Sequence, residues 1–152
     1  MAINTTFTSG AILTAAQMNN LPWGLSQTVT STSVQSIGGG APQDITSLTV
    51  SASLISGRSY MVLTTVCYTV PGSGVANINH RLAYGGSATD YQSINIPVGN
   101  TGTQTFMGAF YFVAASSGAT TVKMQAYAIS QACSLSIATG SHRMTIIDMG
   151  VA

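Results

Sequence analysis

The side chains that could carry out chemistry are few in this 152-residue chain: two histidines, two cysteines and seven charged residues. His142 and Asp148 supply two members of a Ser-His-Asp triad, but no G-x-S-x-G elbow or other nucleophile context accompanies them. His80 and His142 are each followed by arginine, and we predict that they are structural residues at strand ends. The sequence therefore predicts a non-enzymatic protein with no catalytic residue.

The cysteines and histidines do not have the spacing of a metal site. Zinc sites need closely spaced ligand pairs, and the chain has none. Cys67 and Cys133 stand 66 positions apart, and Met1–Gly10 lacks the basic and apolar regions of a signal peptide. We expect two reduced, buried thiols, with a disulfide between strands as the alternative. No metal and no cofactor are predicted.

Charged residues make up 5% of the chain, against about 25% in an ordinary soluble domain. A net charge of +1 produces no field that would attract nucleic acid or an anionic membrane, so neither is an expected partner. Near-zero net charge favours association, and we expect part of the surface to be covered in an assembly. Candidate contacts between subunits are Arg58, Arg143 and Asp148, with solvated strand ends as the alternative interpretation.

The N-terminal segment, residues 1–24, differs from the rest of the chain. Thr14 and Gln17 form a capping box for a helix of about two turns, which must end before Pro22. Such a helix is too short to be stable alone, so it must dock on its own domain, a neighbouring subunit or a larger particle. The residues predicted to attach this segment to a particle are Phe7, Leu13, Met18, Leu21 and Trp23.

From residue 25 onward, apolar residues recur with the period of two that is typical of β-strands. Leu48–Leu54 alternates apolar residues with Thr and Ser, as a half-buried strand does. Ser59–Val70 is apolar on both faces, which predicts a strand between two packed surfaces. Further strands are predicted at Gln27–Ser36, Asn77–Tyr84, Ser93–Val98, Thr103–Ala114, Thr121–Ile129, Ser134–Thr139 and Arg143–Met149.

Eight or nine short strands separated by glycine-rich turns predict an all-β fold, an antiparallel β-sandwich or jelly roll over residues 25–152. The aromatic side chains that share one parity, and so are expected to form a core-facing row, are Phe106, Phe110 and Phe112. A saccharide platform needs rings beside loops or polar strand faces instead. The candidate ligand contacts of that kind are Tyr84, Tyr91 and Tyr127.

Three segments resemble small virion proteins of tailed bacteriophages, of the minor tail or tail-fibre-like kind. Phe7–Asn19 is similar to their start, F-T-x-G-x-x-L-T-A-A-x-x-N, and the likeness continues over Leu21–Gly24. Ser56–Tyr60 resembles the G-R-x-Y that opens a central strand in such proteins. Met144–Gly150 is similar to their closing strand, x-x-V-x-D-x-G. The likeness covers the two ends and one middle segment of the chain.

The resemblance implies a virion structural protein with a short N-terminal anchor and a β-sandwich knob, trimeric like other tumour-necrosis-factor-like or C1q-like virion knobs. It would be assembled in the host cytoplasm and exposed on the particle, with tail, baseplate or major capsid proteins as partners and host-surface glycans as ligands. No shaft, collagen-like repeat or coiled coil follows the anchor, which favours a compact knob. Two alternatives stay open: a capsid decoration protein that stabilises the phage head, and a soluble carbohydrate-binding module.

Overall fold

The computed structural model describes residues 15, 18, 21–22, 24–70, 76–85, 93–98, 102–129, 133–135 and 142–152. Ala15 and Met18, which fall in the predicted N-terminal helix, are both helical. The described strands are β1 (Gly24–Ser31), β2 (Ser36–Ile37), β3 (Gln43–Leu54), β4 (Arg58–Val70), β5 (Ala76–Tyr84), β6 (Ser93–Val98), β7 (Gly102–Val113), β8 (Gly118–Ala128), β9 (Cys133–Leu135) and β10 (His142–Val151).

The strands form two antiparallel sheets. In the first sheet, β4 lies between β7 and β10, and β10 also pairs with β1. β9 pairs with β4 beyond the end of β10 and continues to β2. The second sheet has the order β3-β8-β5-β6. These pairings confirm the predicted all-β, antiparallel β-sandwich.

The hydrophobic core fills the space between the sheets, because alternate residues of each strand point to the same face. The predicted row of phenylalanines is confirmed: Phe110 and Phe112 are buried, and Phe106 packs against the core. Gly108 makes room for them, since a Cβ there would lie 2.8 Å from the ring of Phe106. Other large core residues are Tyr60, Val62, Val66, Tyr68, Met144 and Ile146 from the first sheet, and Ile45, Leu48, Ile78, Leu82, Val122 and Met124 from the second.

Several strand bounds differ from the sequence-based prediction, such as the start of β3 at Gln43 rather than at Leu48, and two differences are larger. β1 ends at Ser31 rather than Ser36, and Ser36–Ile37 belongs to a separate short strand. β4 does not lie between two packed surfaces: its even-numbered residues from Arg58 to Tyr68 are buried, whereas Leu63 is exposed on the opposite face. An apolar pattern on both faces therefore did not mean burial on both faces here. The boundary between the N-terminal segment and the sandwich stays a prediction.

Candidate functional site

A buried ion pair joins two neighbouring strands of the first sheet. Arg58 opens β4, and its Nε donates to both carboxylate oxygens of Asp148 in β10, at 3.0 Å and 2.8 Å. Its Nη2 donates to Oδ1 of Asp148 at 2.8 Å. The two side chains are 3% and 4% exposed. A bidentate guanidinium–carboxylate pair of this kind is both strong and geometrically specific.

A β-bulge in β10 shapes the surroundings of Asp148. The pairing register between β10 and β4 shifts between Asp148 and Gly150, as happens where one strand carries an extra residue. Gly150 has a φ of 99°, and its amide donates to Oδ1 of Asp148 at 2.8 Å. Glycine suits this position because other residues rarely adopt a positive φ. The bulge therefore supplies the carboxylate with a further donor.

The same arginine holds the chain that leads into β1. Nη2 of Arg58 donates to the carbonyl oxygen of Leu21 at 2.6 Å. Tyr60, two residues further along β4, accepts a hydrogen bond at its hydroxyl from the amide of Ile55 at 3.0 Å. Burial raises the pKa of Tyr60, and the charge of Asp148 acts in the same direction. We refer to Leu21, Arg58, Tyr60, Asp148 and Gly150 as the N-terminal junction.

The junction holds three segments of the chain together through hydrogen bonds and an ion pair. Asp148 accepts hydrogen bonds from Arg58 and Gly150. It lies six residues from His142 along one strand, a separation of about 20 Å, so the two do not form a triad. Among the described residues, no group of three metal-ligating side chains comes together. No helix in the described part is long and apolar enough to cross a membrane.

Both histidines are buried and neutral. Nδ1 of His80 lies 2.7 Å from the hydroxyl of Tyr68, and its ring packs 5.0 Å from that of Phe106. Burial lowers the pKa of His80 to about 3 and also lowers the pKa of His142. Nδ1 of His142 accepts from the amide of Cys67 at 3.2 Å. His142 begins β10 as predicted, whereas His80 lies in the middle of β5 rather than at a strand end.

The charged residues predicted to link subunits do not share one environment. Arg58 and Asp148 pair with each other inside one chain, and their side chains are buried. A further contact of either residue with another subunit stays a prediction. Arg143 is exposed, and its Nε donates to Thr145 Oγ1 at 3.2 Å. Its contact with another subunit stays a prediction. The thiol of Cys67 is buried, but the side chain of Cys133 lies outside the described residues, so the cysteine prediction also stays open.

The predicted ligand tyrosines have different surroundings. The ring of Tyr84 stacks on Phe112 with centroids 4.4 Å apart, and its hydroxyl donates to the carbonyl of Val113 at 3.0 Å. Tyr84 thus packs against the edge of the core. Tyr127 is half-buried and lies opposite Asn79 in the pairing of β8 with β5. Tyr91 lies outside the described residues.

The predicted attachment residues are described only in part. Met18 and Leu21 are exposed, and the amide of Leu21 donates to the carbonyl of Met18 at 3.2 Å. Phe7, Leu13 and Trp23 lie outside the described residues. Sequence reasoning missed that the carbonyl of Leu21 is a partner of Arg58. The only signal was that Arg58 and Asp148 belong to segments that resemble the same protein family.

The outward surface of the first sheet carries many apolar side chains, and sequence reasoning did not identify it as a surface. Met107 is 76% exposed and Leu25 is 66% exposed. We refer to the outward-facing residues of this sheet as the outer apolar face. Its apolar members are Leu25, Met61, Leu63, Met107, Ala109, Tyr111, Val113, Ile147 and Met149.

The outward surface of the second sheet is polar by contrast. Asp44 accepts from Lys123 Nζ at 2.7 Å and from Gln125 Nε2 at 2.6 Å. Gln125 Oε1 accepts from Arg81 Nε at 3.0 Å. The network crosses β3, β8 and β5, beside Tyr127. The sandwich therefore has one apolar and one polar outer face.

No family model matches this chain, and no curated protein matches it significantly. Among solved structures, it is similar to a carbohydrate-binding module of Cellvibrio mixtus lichenase 5A in complex with cellotriose, with 14% identity, 81% of this chain and 97% of that chain covered, and a TM-score of 0.40. It is similar to the C-terminal domain of the sugar-binding protein EclA, with 12% identity, 80% and 77% covered, and a TM-score of 0.37. A third similar structure is that of infectious bursal disease virus, Gt strain, with 13% identity, 86% and 38% covered, and a TM-score of 0.37. At these scores the likenesses assign no function, and the fold rests on the strand pairing described above.

Proposed function

We propose that this chain is a non-enzymatic structural protein of a bacteriophage virion. Residues 25–152 form a compact, trimeric knob, and residues 1–24 attach the knob to the tail. The protein is exposed on the particle, where the knob contacts host-surface glycans. The observation that supports this proposal most is the N-terminal junction.

The junction joins the segments that resemble phage virion proteins. Arg58 belongs to the G-R-x-Y segment, Asp148 and Gly150 belong to the closing strand, and Leu21 lies near the end of the N-terminal segment. These segments are far apart in the sequence but meet in one cluster. A shared structural role explains why residues of all three occur together.

The geometry of the junction suits an anchor. A segment that attaches a domain to a particle must transmit any mechanical force to the folded core of that domain. Arg58 connects the carbonyl of Leu21 to Asp148, and so connects the incoming chain to β4 and β10, two strands inside the first sheet. A charge-assisted, bidentate contact resists displacement better than a single neutral hydrogen bond.

Deletion of residues 1–22 tests the attachment. A phage that lacks the gene is complemented with the full chain or with the truncated chain, and both proteins are quantified in purified virions. We expect the full chain in the virions and the truncated chain in the lysate only. Thermal unfolding of the truncated chain serves as the control for folding. Equal incorporation of both proteins contradicts an N-terminal anchor.

Immunogold labelling of intact virions with antibody against residues 25–152 tests the location. Gold at the tail supports the minor tail or tail-fibre-like role. Gold spread over the head supports the first alternative, a capsid decoration protein, which the absence of a shaft favours. In that case, virions without the protein should also lose resistance to heat.

A carbohydrate-binding module is the second alternative, and the polar face of the second sheet favours it. Tyr127 lies there beside a network of amide, guanidinium and carboxylate groups, which is the kind of surface that binds sugar hydroxyls. A glycan array probed with the full chain and with Tyr127→Ala tests this role. Thr121→Ala, at the exposed other end of the same strand, is the control. Binding that Tyr127→Ala alone abolishes supports the role, and an array without hits contradicts it.

A further inference from the structure

We propose that the outer apolar face joins copies of this chain to one another. The inference rests on the oligomeric knob proposed above and identifies the surface through which the knob assembles. Three observations carry it: the size of the face, the hydrogen bonding of its polar atoms and the distribution of charge over the chain.

The face is continuous across four strands. Met61 in β4 lies opposite Tyr111 in β7 on one side and Ile147 in β10 on the other, and Ile147 lies opposite Leu25 in β1. All four residues point away from the core, so they form an uninterrupted apolar row. Leu63 and its partner Ala109 extend the apolar surface along β4 and β7. The face is therefore a single patch rather than scattered exposed residues.

The size of the patch matches the centre of a protein–protein interface. Four strands spaced by about 4.8 Å are about 19 Å wide, and the six steps from Met107 to Val113 are about 20 Å long. The outward area of these strands around the apolar row is thus about 400 Å², about half of the roughly 800 Å² that a standard interface covers on each partner. Interfaces combine an apolar centre with a polar rim. Here the polar rim includes the threonines beside the apolar row, which are Thr28, Thr30, Thr65 and Thr145.

Some of the polar atoms on the face already have hydrogen-bond partners within the chain. Oγ1 of Thr28 and Oγ1 of Thr145 lie 3.3 Å apart, and the Nε of Arg143 donates to Oγ1 of Thr145. Polar groups that already have partners lose little when water is removed. Arg143 lies opposite Thr65, two residues along β4 from Leu63, so its charge can stay at the solvated rim.

The charge distribution favours a second copy as the partner. Arg143 is the one charged side chain of this face among the described residues. The other described charges lie elsewhere: Arg58 and Asp148 are buried, and Asp44, Lys123 and Arg81 lie on the second sheet. An apolar face gains most when it packs against another apolar, uncharged surface. Within the described structure, the surface that meets this requirement is the same face of another copy.

The test is the mass of the full chain in solution, measured by sedimentation velocity over a range of concentrations. Leu63→Glu places a charge at the centre of the face. Thr121→Glu places the same charge on the outward surface of the second sheet and is the matched control. Thermal unfolding confirms that both variants are folded. If Leu63→Glu does not fold, Met107→Glu replaces it, because Met107 is the more exposed residue.

We expect oligomers of the parent chain and of Thr121→Glu, and a dissociation constant raised about tenfold or more for Leu63→Glu. We also expect hydrogen peroxide to oxidise Met107 more slowly in the oligomer than in the monomeric variant. A parent chain that is monomeric at high concentration overturns the inference, as does an oligomer that Leu63→Glu leaves intact. Incorporation into virions is measured in a separate experiment. A chain that is monomeric in solution but still enters virions would therefore refute this interface without refuting the virion role. A dimer supports the interface and contradicts the trimeric knob.

Discussion

At the scale of single residues, burial decides what the few charged and titratable groups do. Arg58 and Asp148 are two of seven charged residues in the chain, and both lie in one buried pair. Asp44 and Lys123 form a pair of similar length whose side chains are 46% and 25% exposed. Loss of one partner leaves an unpaired charge in the interior in the first case and a solvated charge in the second.

Replacement of Asp148 by asparagine should therefore be far more damaging than loss of the exposed pair. We expect Asp148→Asn to lower the free energy of unfolding by about 3–5 kcal/mol, because Arg58 keeps its charge without its carboxylate. Lys123→Ala, the control, should lower it by about 0–1 kcal/mol. Urea unfolding at neutral pH measures both. If both variants lost the same small amount of free energy of unfolding, a structural role for the buried pair would be contradicted.

The buried histidines should make stability depend on pH. Burial lowers the pKa of His80 from 6.5 to about 3, so below pH 6.5 the unfolded chain takes up a proton that the folded chain does not. The free energy of unfolding therefore has its full value above about pH 6.5. Between pH 6.5 and about pH 3 it falls as the pH falls, by up to about 1.4 kcal/mol per pH unit for this residue. His142, whose pKa is also lowered by burial, acts in the same direction.

Urea unfolding at a series of pH values below 6.5 measures this slope. The double variant His80→Phe/Tyr68→Phe removes both members of the buried hydrogen bond and keeps apolar rings in their place. We expect it to retain only the part of the slope that His142 contributes and, at the acid end of the series, the part that Asp44 contributes, because the pKa of Asp44 is also lowered in the folded chain. An unchanged slope would show that His80 is not the titrating group.

At the scale of elements, a tight turn between β3 and β4 ties distant parts of the first sheet together. Gly57 has a φ of 78°, a conformation that is costly for residues with a Cβ. Its amide donates to the carbonyl of Ala114 at 2.8 Å, and its carbonyl accepts from Ala152 at 3.0 Å. The turn thus holds Ala114 and Ala152, which follow β7 and β10, beside Arg58.

Gly57→Ala should lower the free energy of unfolding by about 1–2 kcal/mol, although open space surrounds the position. Gly57→Asn should lower it by less, because asparagine adopts a positive φ more readily. Chemical denaturation of both variants measures which of them loses more free energy of unfolding. If alanine were tolerated as well as asparagine, backbone conformation would not be the reason for glycine at this turn.

At the scale of the whole molecule, the two outer faces of the sandwich differ in chemistry. The first sheet presents apolar side chains, and the second presents the network of Asp44, Lys123, Gln125 and Arg81. This asymmetry separates the face that we propose for self-association from the face that we propose for polar ligands. Both proposed interactions can then occur in one small domain without competition.

Association through the outer apolar face should depend little on sodium chloride. Salt shortens the range of electrostatic interactions from about 30 Å at 0.01 M to about 3 Å at 1 M, but it affects apolar burial much less. Sodium sulfate should strengthen association, because it is excluded from protein surfaces. Sedimentation velocity in both salts checks this. Dissociation in sodium chloride would instead indicate that Arg143 dominates the contact.

The sequence alone determined the fold class and most strand positions. Ser93–Val98 was predicted with the bounds it has, and Ser59–Val70 begins one residue after β4 does. These segments alternate with period two between glycine-rich turns, which is local information that one strand carries by itself. The phenylalanine row was predictable for the same reason, since residues of one parity share a face.

Tertiary structure alone decided which side of β4 is buried and which charges pair. In β4 both the odd-numbered and the even-numbered residues include apolar side chains. The alternation shows which residues share a face of the strand, but it does not show which of the two faces packs against the other sheet. Leu63 and Val62 look alike in the sequence, yet the first is exposed and the second is buried. The pairing of Arg58 with Asp148 depends on the register of β4 against β10 and on the bulge before Gly150. Register is set by the packing of the whole sheet, so no single segment of the sequence could reveal it.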